Sequence, residues 1–325
     1  MRSLIQVKDR PWLALPYHPK RSEKRCSFMS FQSVSSNKIY HLKLPGVGES
    51  KTICGSSAGF LVMVDQSCDQ ITMIDPLTEA QFQIPSVSTS LRPKDPVDTQ
   101  KYLVHKAVLS SPPDCNPYDY VLMVIYGEKR ELAYYEAKSR TWTKLQEAGS
   151  YYDDIIFRKG EFYAVDEYGK LVVCRPCLLP IVSEIATPWL LRGNKVYLVD
   201  MDDSLCVVIR FLKDNPTVGY ETYKFEVHLL EPNEQWGHLG SIEDWAFFLG
   251  QNESAALPVK DFKGLKADRI YFTDDNSDAY KYGVIGGHDN GVFDMEEESF
   301  QPLEYRQCPR PVWLTPENRP SASTV

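Results

Sequence analysis

The chain of 325 residues lacks any long apolar run. No stretch approaches the roughly 18 to 20 consecutive apolar residues that a membrane-spanning helix needs, and the first seven residues, MRSLIQV, are too short for the apolar core of a signal peptide. An excess of basic charge is also missing, because 36 Lys and Arg residues face 44 Asp and Glu residues, which gives a formal net charge of −8. We therefore expect neither a membrane partner nor a nucleic-acid partner.

The sequence also lacks the paired ligand motifs of a metal site or a redox centre. Its C-x-x-C, from Cys174 to Cys177, has no second cysteine pair or closely spaced histidine pair to complete a zinc site. Its context is not the strand-to-helix junction of a thioredoxin motif. The six histidines stand at no spacing that implies a shared metal. We predict no catalytic, cofactor-binding or metal-binding residue, and we interpret Cys174 and Cys177 as reduced thiols at the end of a strand.

The eight cysteines are spread along the chain, and several lie inside apolar runs. A reduced thiol in such a run behaves as a small buried hydrophobe. This usage indicates a reducing compartment, and we expect the cytoplasm, the nucleus or both. The first 30 residues contain many Arg, Lys and Ser residues, so import into a mitochondrion or plastid is the alternative.

The sequence does contain a long series of short β-strand patterns. Few windows have the apolar spacing of an amphipathic helix, whereas short apolar or alternating runs bounded by Gly, Pro, Asp and Asn recur from end to end. The candidate strands are 28–34, 38–42, 59–64, 70–74, 81–84, 106–109, 120–125, 131–136, 141–144, 155–158, 161–165, 171–174, 195–200, 205–211, 222–228, 269–273 and 291–294. The segments 158–162, 166–171 and 288–293 predict hairpin turns, the last with Asn290-Gly291 at positive φ. We therefore predict an all-β fold of antiparallel sheets.

The strand patterns repeat roughly every 40 to 50 residues, a spacing typical of the four-stranded blades of a β-propeller. About six blades fit the length, with seven as the alternative. Two Trp-centred segments flanked by prolines, 11–16 and 310–316, predict that N- and C-terminal strands close the ring within one blade. We predict a single propeller domain over residues 11–316, with a short tail at 1–10 and a flexible tail at 317–325.

The segment from Gly55 to Gly59 reads GSSAG, the G-x-S-x-G pattern that holds the nucleophilic serine of α/β-hydrolases. That serine needs a helix directly after it, because the helix N-terminus and the next amide stabilise the oxyanion. Phe60 instead begins an apolar run that predicts a strand. We interpret Ser57 as a turn residue, and a hydrolase using Ser57 is the least favoured functional hypothesis.

Two acidic stretches and two long loops complete the candidates. The run DDNSD at 274–278 offers oxygen ligands but lacks the glycine and the terminal Glu of an EF-hand loop, so we predict a solvated hairpin loop. The run EEE at 296–298 predicts a charged turn. The segments 86–100 and 230–242 are rich in turn formers, and we expect propeller loops of this kind to bind a protein partner. The scattered tryptophans predict one aromatic anchor in several blades.

Several segments, in this order along the chain, carry a resemblance to a known family: RPWLALP, GSSAGFLVMVD followed by ITMIDPLT, RIYFTDDN, HDNGVFDMEEESFQPL and RPVWLTP. They resemble the plant F-box-associated β-propeller family of KIB type, also called domain of unknown function 295. The resemblance implies a propeller that presents a substrate protein to an SCF ubiquitin ligase. In that family an F-box upstream of the propeller binds the adaptor of the ligase.

The residues before Pro11 do not predict the helices of an F-box, so the resemblance leaves binding of the SCF adaptor open. We therefore hypothesise a non-catalytic protein-interaction propeller without a cofactor. Its role would be like that of the substrate-recognition domain of these F-box proteins. A stand-alone, organelle-targeted propeller of unknown activity is the alternative.

Overall fold

The computed structural model describes residues 11–15, 28–44, 47, 51–65, 68–87, 91, 104–176, 181–186, 194–276, 287–303 and 311–316. The strands, in chain order, are β1 Trp12–Leu15, β2 Phe28–Ser33, β3 Ile39–Lys43, β4 Lys51–Ser57, β5 Phe60–Asp65, β6 Ile71–Ile74, β7 Gln81–Ile84, β8 Val104–Leu109, β9 Val121–Tyr126, β10 Glu131–Glu136, β11 Thr141–Lys144, β12 Tyr152–Arg158, β13 Glu161–Asp166, β14 Leu171–Arg175, β15 Ile181–Ala186, β16 Lys195–Met201, β17 Ser204–Asn215, β18 Gly219–Leu230, β19 Trp236–Leu239, β20 Trp245–Leu249, β21 Ala255–Pro258, β22 Arg269–Phe272, β23 Gly291–Asp294, β24 Ser299–Pro302 and β25 Val312–Leu314. Short 3-10 turns lie at Gln146–Ala148 and Val259–Asp261. Within these residues, no helix has the length and apolar character to cross a bilayer.

The described strands form six sheets, which confirms the predicted β-propeller with six blades rather than seven. In order around the ring, blade 1 is β25-β1-β2-β3, blade 2 is β4 to β7, blade 3 is β8 to β11, blade 4 is β12 to β15, blade 5 is β16 to β19, and blade 6 is β21-β20-β22-β23-β24. Six hydrophobic clusters join each blade to the next, and the last joins blade 6 back to blade 1. The ring is therefore closed by continuous apolar packing.

Both faces of each blade are packed, which explains the continuous apolar runs in the sequence. Successive side chains of a strand point to opposite faces of the sheet. In β5, Leu61 and Met63 pack toward blade 1, whereas Phe60 and Val62 pack toward blade 3. A strand with only one packed face would alternate apolar and polar residues, so the run FLVMV already indicates burial on both sides.

The two ends of the chain meet in blade 1, as predicted. Strand β1 pairs antiparallel with β25, with Trp12 opposite Leu314 and Ala14 opposite Val312. The side chains of Trp12 and Trp313 are fully buried. The indole of Trp313 packs edge-on against Phe248 and donates a hydrogen bond to the Leu249 carbonyl in blade 6, at 3.2 Å. The C-terminal strand thus joins the closing blade to its neighbour.

Blade 6 departs from the predicted pattern of four antiparallel strands. It has five strands, and β20 pairs in parallel with β22. Strand β21 folds back antiparallel on β20 and takes the innermost position. The turn between β20 and β21 therefore lies at the centre of the ring, where it contributes to the site described below.

Two of the three predicted hairpin turns are confirmed. Lys159 and Gly160, both at positive φ, connect β12 to β13, and Gly169 at φ 83° lies in the turn from β13 to β14. The prediction at 288–293 is wrong, because Gly291 begins β23 and pairs with Phe272 rather than forming a turn. Among the described residues 287–294, Gly287 has the positive φ.

Blade 5 contains the longest hairpin, in which β17 and β18 each span 12 residues. Its far half, from Phe211 to Lys224, extends past the first residue of β16, because Lys195 pairs with Arg210. The predicted loop at 230–242 is wrong in part, since Trp236–Leu239 within it form β19, the outer strand of this blade, whereas 231–235 and 240–242 do lie in turns and loops. Of the other predicted loop, 86–100, only residues 86, 87 and 91 lie within the described part of the chain.

Candidate functional site: the mouth and interior of the central channel

The innermost strands of blades 3, 4 and 5 begin at the same end of the ring, around a small cavity. His105, Tyr152 and Lys195 lie at or next to the first residues of these strands and line it together. The cavity measures about 40 Å³, room for about three water molecules. The remaining lining residues are Lys106, Arg130, Asp153, Asn194, Gly250, Gln251, Asp275 and Asn276. We call this end of the ring the channel mouth.

Each basic side chain at the channel mouth is paired with a buried carboxylate. Lys106 forms an ion pair with Asp154, and Arg130 forms one with Asp153. The Lys195 ammonium lies 3.1 Å from the Asp275 carboxylate. Removing one partner of such a pair leaves a buried charge uncompensated, so these pairs fix the relative positions of the blades.

The carboxyl groups at the channel mouth differ in their pKa values. Burial raises the pKa of Asp153 to about 6, although Lys195 and Arg130 act against the rise. Burial has the same effect on Asp275, but Lys195 and Arg210 outweigh it and lower the pKa of this group. The mouth therefore holds an ionised Asp275 and an Asp153 that titrates near neutral pH.

The interior of the channel is occupied by the turn between β20 and β21, residues 250–254. Its contacts run to three innermost strands. They are Lys106 Nζ to the Gly250 carbonyl at 3.2 Å, Gln251 Nε2 to the His105 carbonyl at 3.1 Å, the Glu253 amide to the Ser56 carbonyl at 2.8 Å, and Ser254 Oγ to Asp154 Oδ2 at 2.8 Å. At Gly250, φ is 156° and an added Cβ would lie 2.1 Å from Thr273 Oγ1, so only glycine fits.

Ser57 belongs to this interior network. It is the last residue of β4, and the turn itself is formed by Ala58 and Gly59, both at positive φ. Its hydroxyl donates to Glu253 Oε2 at 2.6 Å and accepts from the Leu109 amide at 2.9 Å. Strand β5 follows it, so the strand-to-helix elbow of a hydrolase is not formed. The hydroxyl holds the central turn to blades 2 and 3.

Glu253 is the titratable group of the interior network. It is half-buried, and its second carboxylate oxygen accepts a hydrogen bond from the Phe157 amide at 3.1 Å. Burial raises the pKa of Glu253 to about 7, and the hydrogen bonds from Ser57 and Phe157 limit the rise. The charge of the central turn therefore changes near neutral pH.

A second buried network surrounds Arg210, a residue that is only 2% exposed. Its donors reach Thr222 Oγ1 at 2.7 Å, Tyr197 Oη at 3.1 Å, the Thr273 carbonyl at 2.9 Å, Asp275 Oδ1 at 3.2 Å, and the carbonyl and Oδ2 of Asp289 at 2.9 and 2.8 Å. The network ties the long β17–β18 hairpin of blade 5 to the segments that follow β22 and precede β23 in blade 6. It therefore fixes how this hairpin stands beside the channel mouth.

The acidic run at 274–278 is not the solvated loop that we predicted. Asp274 is 1% exposed and accepts hydrogen bonds from the Tyr220 hydroxyl at 2.6 Å and the Gly287 amide at 2.6 Å. Asp275 is bound by Lys195 and Arg210, as described above. Residues 277 and 278 lie outside the described residues. The carboxylates are visible in the sequence, but the two cations that bind Asp275 both come from blade 5, far away along the chain. The turn at 296–298 is exposed, as predicted.

The other sequence candidates do not assemble into a reactive group within the described residues. Cys174 is buried in β14, and burial raises its pKa to about 12, so its thiol is inert. Cys177 lies outside the described residues. His228 and His238 face each other across β18 and β19 with ring centroids 5.3 Å apart, a pairing that their sequence spacing did not reveal. In the described part of the chain, no group of three or more His, Cys, Asp or Glu residues is placed to hold a metal ion.

The sequence analysis did not predict Glu253, Asp154 or Arg210 as members of buried networks. One signal is present in the sequence: the polar segment GQNES interrupts two apolar segments, WAFFL and AALP, a pattern that ordinarily indicates a surface turn. Its placement inside the channel depends on the parallel pairing of β20 with β22, which no local pattern indicates.

The chain matches the model of one protein family, described as the KIB1-4 beta-propeller, over residues 28–294. This range includes the channel mouth, the central turn and the Arg210 network.

Two relatives from Arabidopsis thaliana extend the similarity. A protein named as an F-box protein, At5g55150, is 29% identical over 282 residues, which cover 82% of this chain and 75% of the relative. F-box protein SKIP23 is 25% identical over 316 residues, which cover 81% of this chain and 75% of the relative. Among solved structures, the Malassezia sympodialis allergen Mala s 1 is 11% identical, with 83% of each chain covered and a TM-score of 0.39, a similarity too low to bear on function.

Proposed function

This chain belongs to the KIB1-4 β-propeller family, and we propose that it is a protein-interaction module that recognises a substrate protein for an SCF ubiquitin ligase. The observation that carries the proposal is the match to this family over most of the chain, together with relatives named as F-box proteins. The chain is a β-propeller related to plant F-box proteins.

The structure supports recognition at the surface of the ring rather than inside it. The central turn lies inside the channel and is hydrogen-bonded to blades 2, 3 and 4. The cavity at the channel mouth has room for water molecules or for the tip of one side chain. A partner protein would therefore contact the turns and hairpins around the mouth, which are held by a rigid scaffold.

We propose a structural role for Ser57. Its hydroxyl is buried and already engaged by Glu253 and by the Leu109 amide. Substitution by Ala removes a donor from Glu253 and an acceptor from Leu109, and it should lower stability without changing partner binding. Urea unfolding and partner pull-down of Ser57→Ala test this. Loss of binding at unchanged stability would contradict it.

The test of the proposed function is affinity purification of the tagged protein from its own tissue, followed by mass spectrometry. Reproducible recovery of the SCF adaptor and cullin supports the ligase link, and the other co-purifying proteins are then candidate substrates. Recovery of a reproducible partner without adaptor or cullin removes the ligase link and leaves a binding module. Failure to recover any reproducible partner counts against an interaction function.

We further propose that the protein works in a reducing compartment, the cytoplasm or the nucleus. The support for this proposal is the placement of Cys54, Cys174 and Cys206 in buried strands, where a reduced thiol packs as a small hydrophobe. Imaging of a fluorescent fusion in plant cells tests the proposal. A signal confined to mitochondria or plastids would contradict it.

A further inference from the structure

Two exposed tyrosines stand beside the channel mouth. The exposed fractions are 43% for Tyr151 and 64% for Tyr168. Tyr151 immediately precedes Tyr152, which lines the cavity, and Tyr168 lies in the turn from β13 to β14. Glu167 connects them, because its amide donates to the Tyr151 carbonyl at 3.0 Å. We call Tyr151, Glu167 and Tyr168 the tyrosine rim.

The backbone of the tyrosine rim is held in place from both sides. The Tyr151 amide donates to the Lys129 carbonyl at 2.6 Å, and the Tyr152 amide donates to the Arg130 carbonyl at 3.1 Å. The Arg130 guanidinium bridges the carboxylates of Asp153 and Glu167. The turns of blades 3 and 4 are therefore joined by main-chain and charged hydrogen bonds. A rim fixed in this way loses little conformational entropy when a ligand binds.

Tyr151 adopts a backbone conformation that a bulky residue rarely takes. Its φ is 68°, in the left-handed region that glycine occupies without cost. Packing of the ring in the core does not offset the backbone strain, because 43% of the residue is exposed. Strain of this kind, held in place by the surrounding hydrogen bonds, is concentrated at binding sites. The fold gives no reason for a tyrosine at residue 151, whereas contact of its exposed ring with a ligand would.

The charge around the tyrosine rim favours a basic ligand. The chain segments that form and adjoin the rim, 128–130, 147–153 and 166–170, contain five acidic and three basic residues. Arg130 is already shared by two carboxylates, and the Glu167 side chain remains 33% exposed. The Glu167 carboxylate also raises the pKa of the Tyr168 hydroxyl, which places the acid beside this ring. The whole chain has a formal net charge of −8, which attracts basic segments in general.

We propose that the tyrosine rim binds a Lys or Arg side chain of the partner protein, with the cation over the exposed tyrosine rings and paired with Glu167. Tyrosine faces attract cations through the ring quadrupole, and tyrosine and arginine are enriched among the residues that dominate protein interfaces. The inference rests on the proposed interaction function and names the chemistry of its partner.

The test uses a random-sequence peptide library displayed on phage, selected on the purified full-length protein. Clones that bind the Tyr168→Ala variant are removed by counter-selection. We expect the surviving peptides to be enriched in Lys and Arg. As synthetic fluorescent peptides, they should lose about tenfold in affinity on Tyr168→Ala or Glu167→Gln, and a similar amount when the peptide Lys or Arg is replaced by Gln. Fluorescence anisotropy measures each affinity.

Two further variants separate binding from folding. Tyr118→Ala is the matched control, because Tyr118 is equally exposed, at 65%, in the connection from β8 to β9. It should leave affinity unchanged. Tyr151→Gly removes the ring and relieves the backbone strain, so its Tm should stay the same or rise while peptide affinity falls.

Selected peptides without an excess of Lys and Arg, peptides whose affinity is unchanged by Glu167→Gln, or failure of any peptide to be selected would each overturn the proposal that the tyrosine rim binds a basic side chain. None of these outcomes argues against the proposed interaction function if a partner is recovered from tissue. Conversely, if basic peptides bind through the rim, this inference is supported even when the SCF adaptor does not co-purify.

Discussion

Replacing Arg210 by Met tests whether the buried network beside the channel mouth holds the long hairpin to blade 6. Methionine keeps much of the side-chain volume but removes all the donors. The Asp289 carboxylate then loses its cation and retains the hydrogen bonds from the amide and hydroxyl of Thr222. Asp275 retains its ion pair with Lys195 and the hydrogen bond from the Tyr197 hydroxyl. Removing one partner from a buried ion pair typically costs about 3 to 5 kcal/mol. A folded domain is stable by only about 5 to 15 kcal/mol, so the effect should be large.

The assay is urea unfolding followed by tryptophan fluorescence, with the free energy of unfolding taken by linear extrapolation. The matched control is Lys213→Met on the same hairpin. It removes an exposed ion pair with Glu221, 2.9 Å apart, and should cost less than about 1 kcal/mol. The double variant Arg210→Met with Asp289→Asn should lose less stability than the single variant, because the uncompensated carboxylate is gone.

A loss below about 1 kcal/mol in Arg210→Met would refute this reasoning, since it would show that the buried carboxylates tolerate the loss of their cation. An equal loss in the Lys213→Met control would refute it as well. If the double variant were no more stable than Arg210→Met, the cost would come from packing rather than from charge.

Three further predictions concern the centre of the ring, its closure and its thiols. Burial raises the pKa of Glu253 from near 4.5 to about 7, so between these pH values the folded state binds more protons than the unfolded state. The free energy of unfolding should therefore fall by about 3 kcal/mol as the pH rises from 4.5 to 7.5. In Glu253→Gln that contribution should disappear, and urea unfolding of both proteins at several pH values measures the difference; identical pH profiles would contradict the assignment. Trp313→Ala should cost about 3 to 5 kcal/mol in urea unfolding, because it empties a fully buried site in the closing blade, whereas Tyr118→Ala should cost little. In alkylation by iodoacetamide followed by peptide mass spectrometry, the exposed Cys68 and Cys115 should react in the folded protein, and Cys54, Cys174 and Cys206, each with its pKa raised to about 12 by burial, should react only after unfolding. Rapid labelling of any of these three in the folded protein would show that its strand opens.

Much of the fold could be predicted because the propeller is specified by local patterns. The run FLVMV in β5 has apolar residues on both faces, and such a strand must lie in a sheet packed on both sides. Lys159-Gly160 sets a tight turn through its own backbone preference. The Trp-centred strands at the two ends predicted closure, because an unpaired edge there would be exposed. These features depend on neighbours in the sequence, and the prediction succeeded for them.

Local sequence patterns did not predict strands whose formation depends on tertiary contacts. Strand β4 contains Gly55 and two serines, which favour turns, yet it is an innermost strand. An added Cβ at Gly55 would lie 3.1 Å from the Ala107 carbonyl oxygen, so a small residue is needed for the close approach of blades 2 and 3. Similarly, β19 was predicted as a loop because LEPNEQWGHLGSI is rich in turn formers, and only pairing with β18 makes it a strand.

The sequence by itself determined the class of fold, the blade number within one, and the way in which the ends close, because hydrophobic periodicity and turn preferences act over a few residues. Only the tertiary structure decided which charged residues are buried together. Asp275 looks like a surface acid in DDNSD, and Ser57 looks like a turn residue in GSSAG. Their partners, Lys195 with Arg210 and Glu253, lie at least 65 residues away along the chain. Ion pairs and hydrogen bonds depend on distance in space, and the closure of the ring sets that distance.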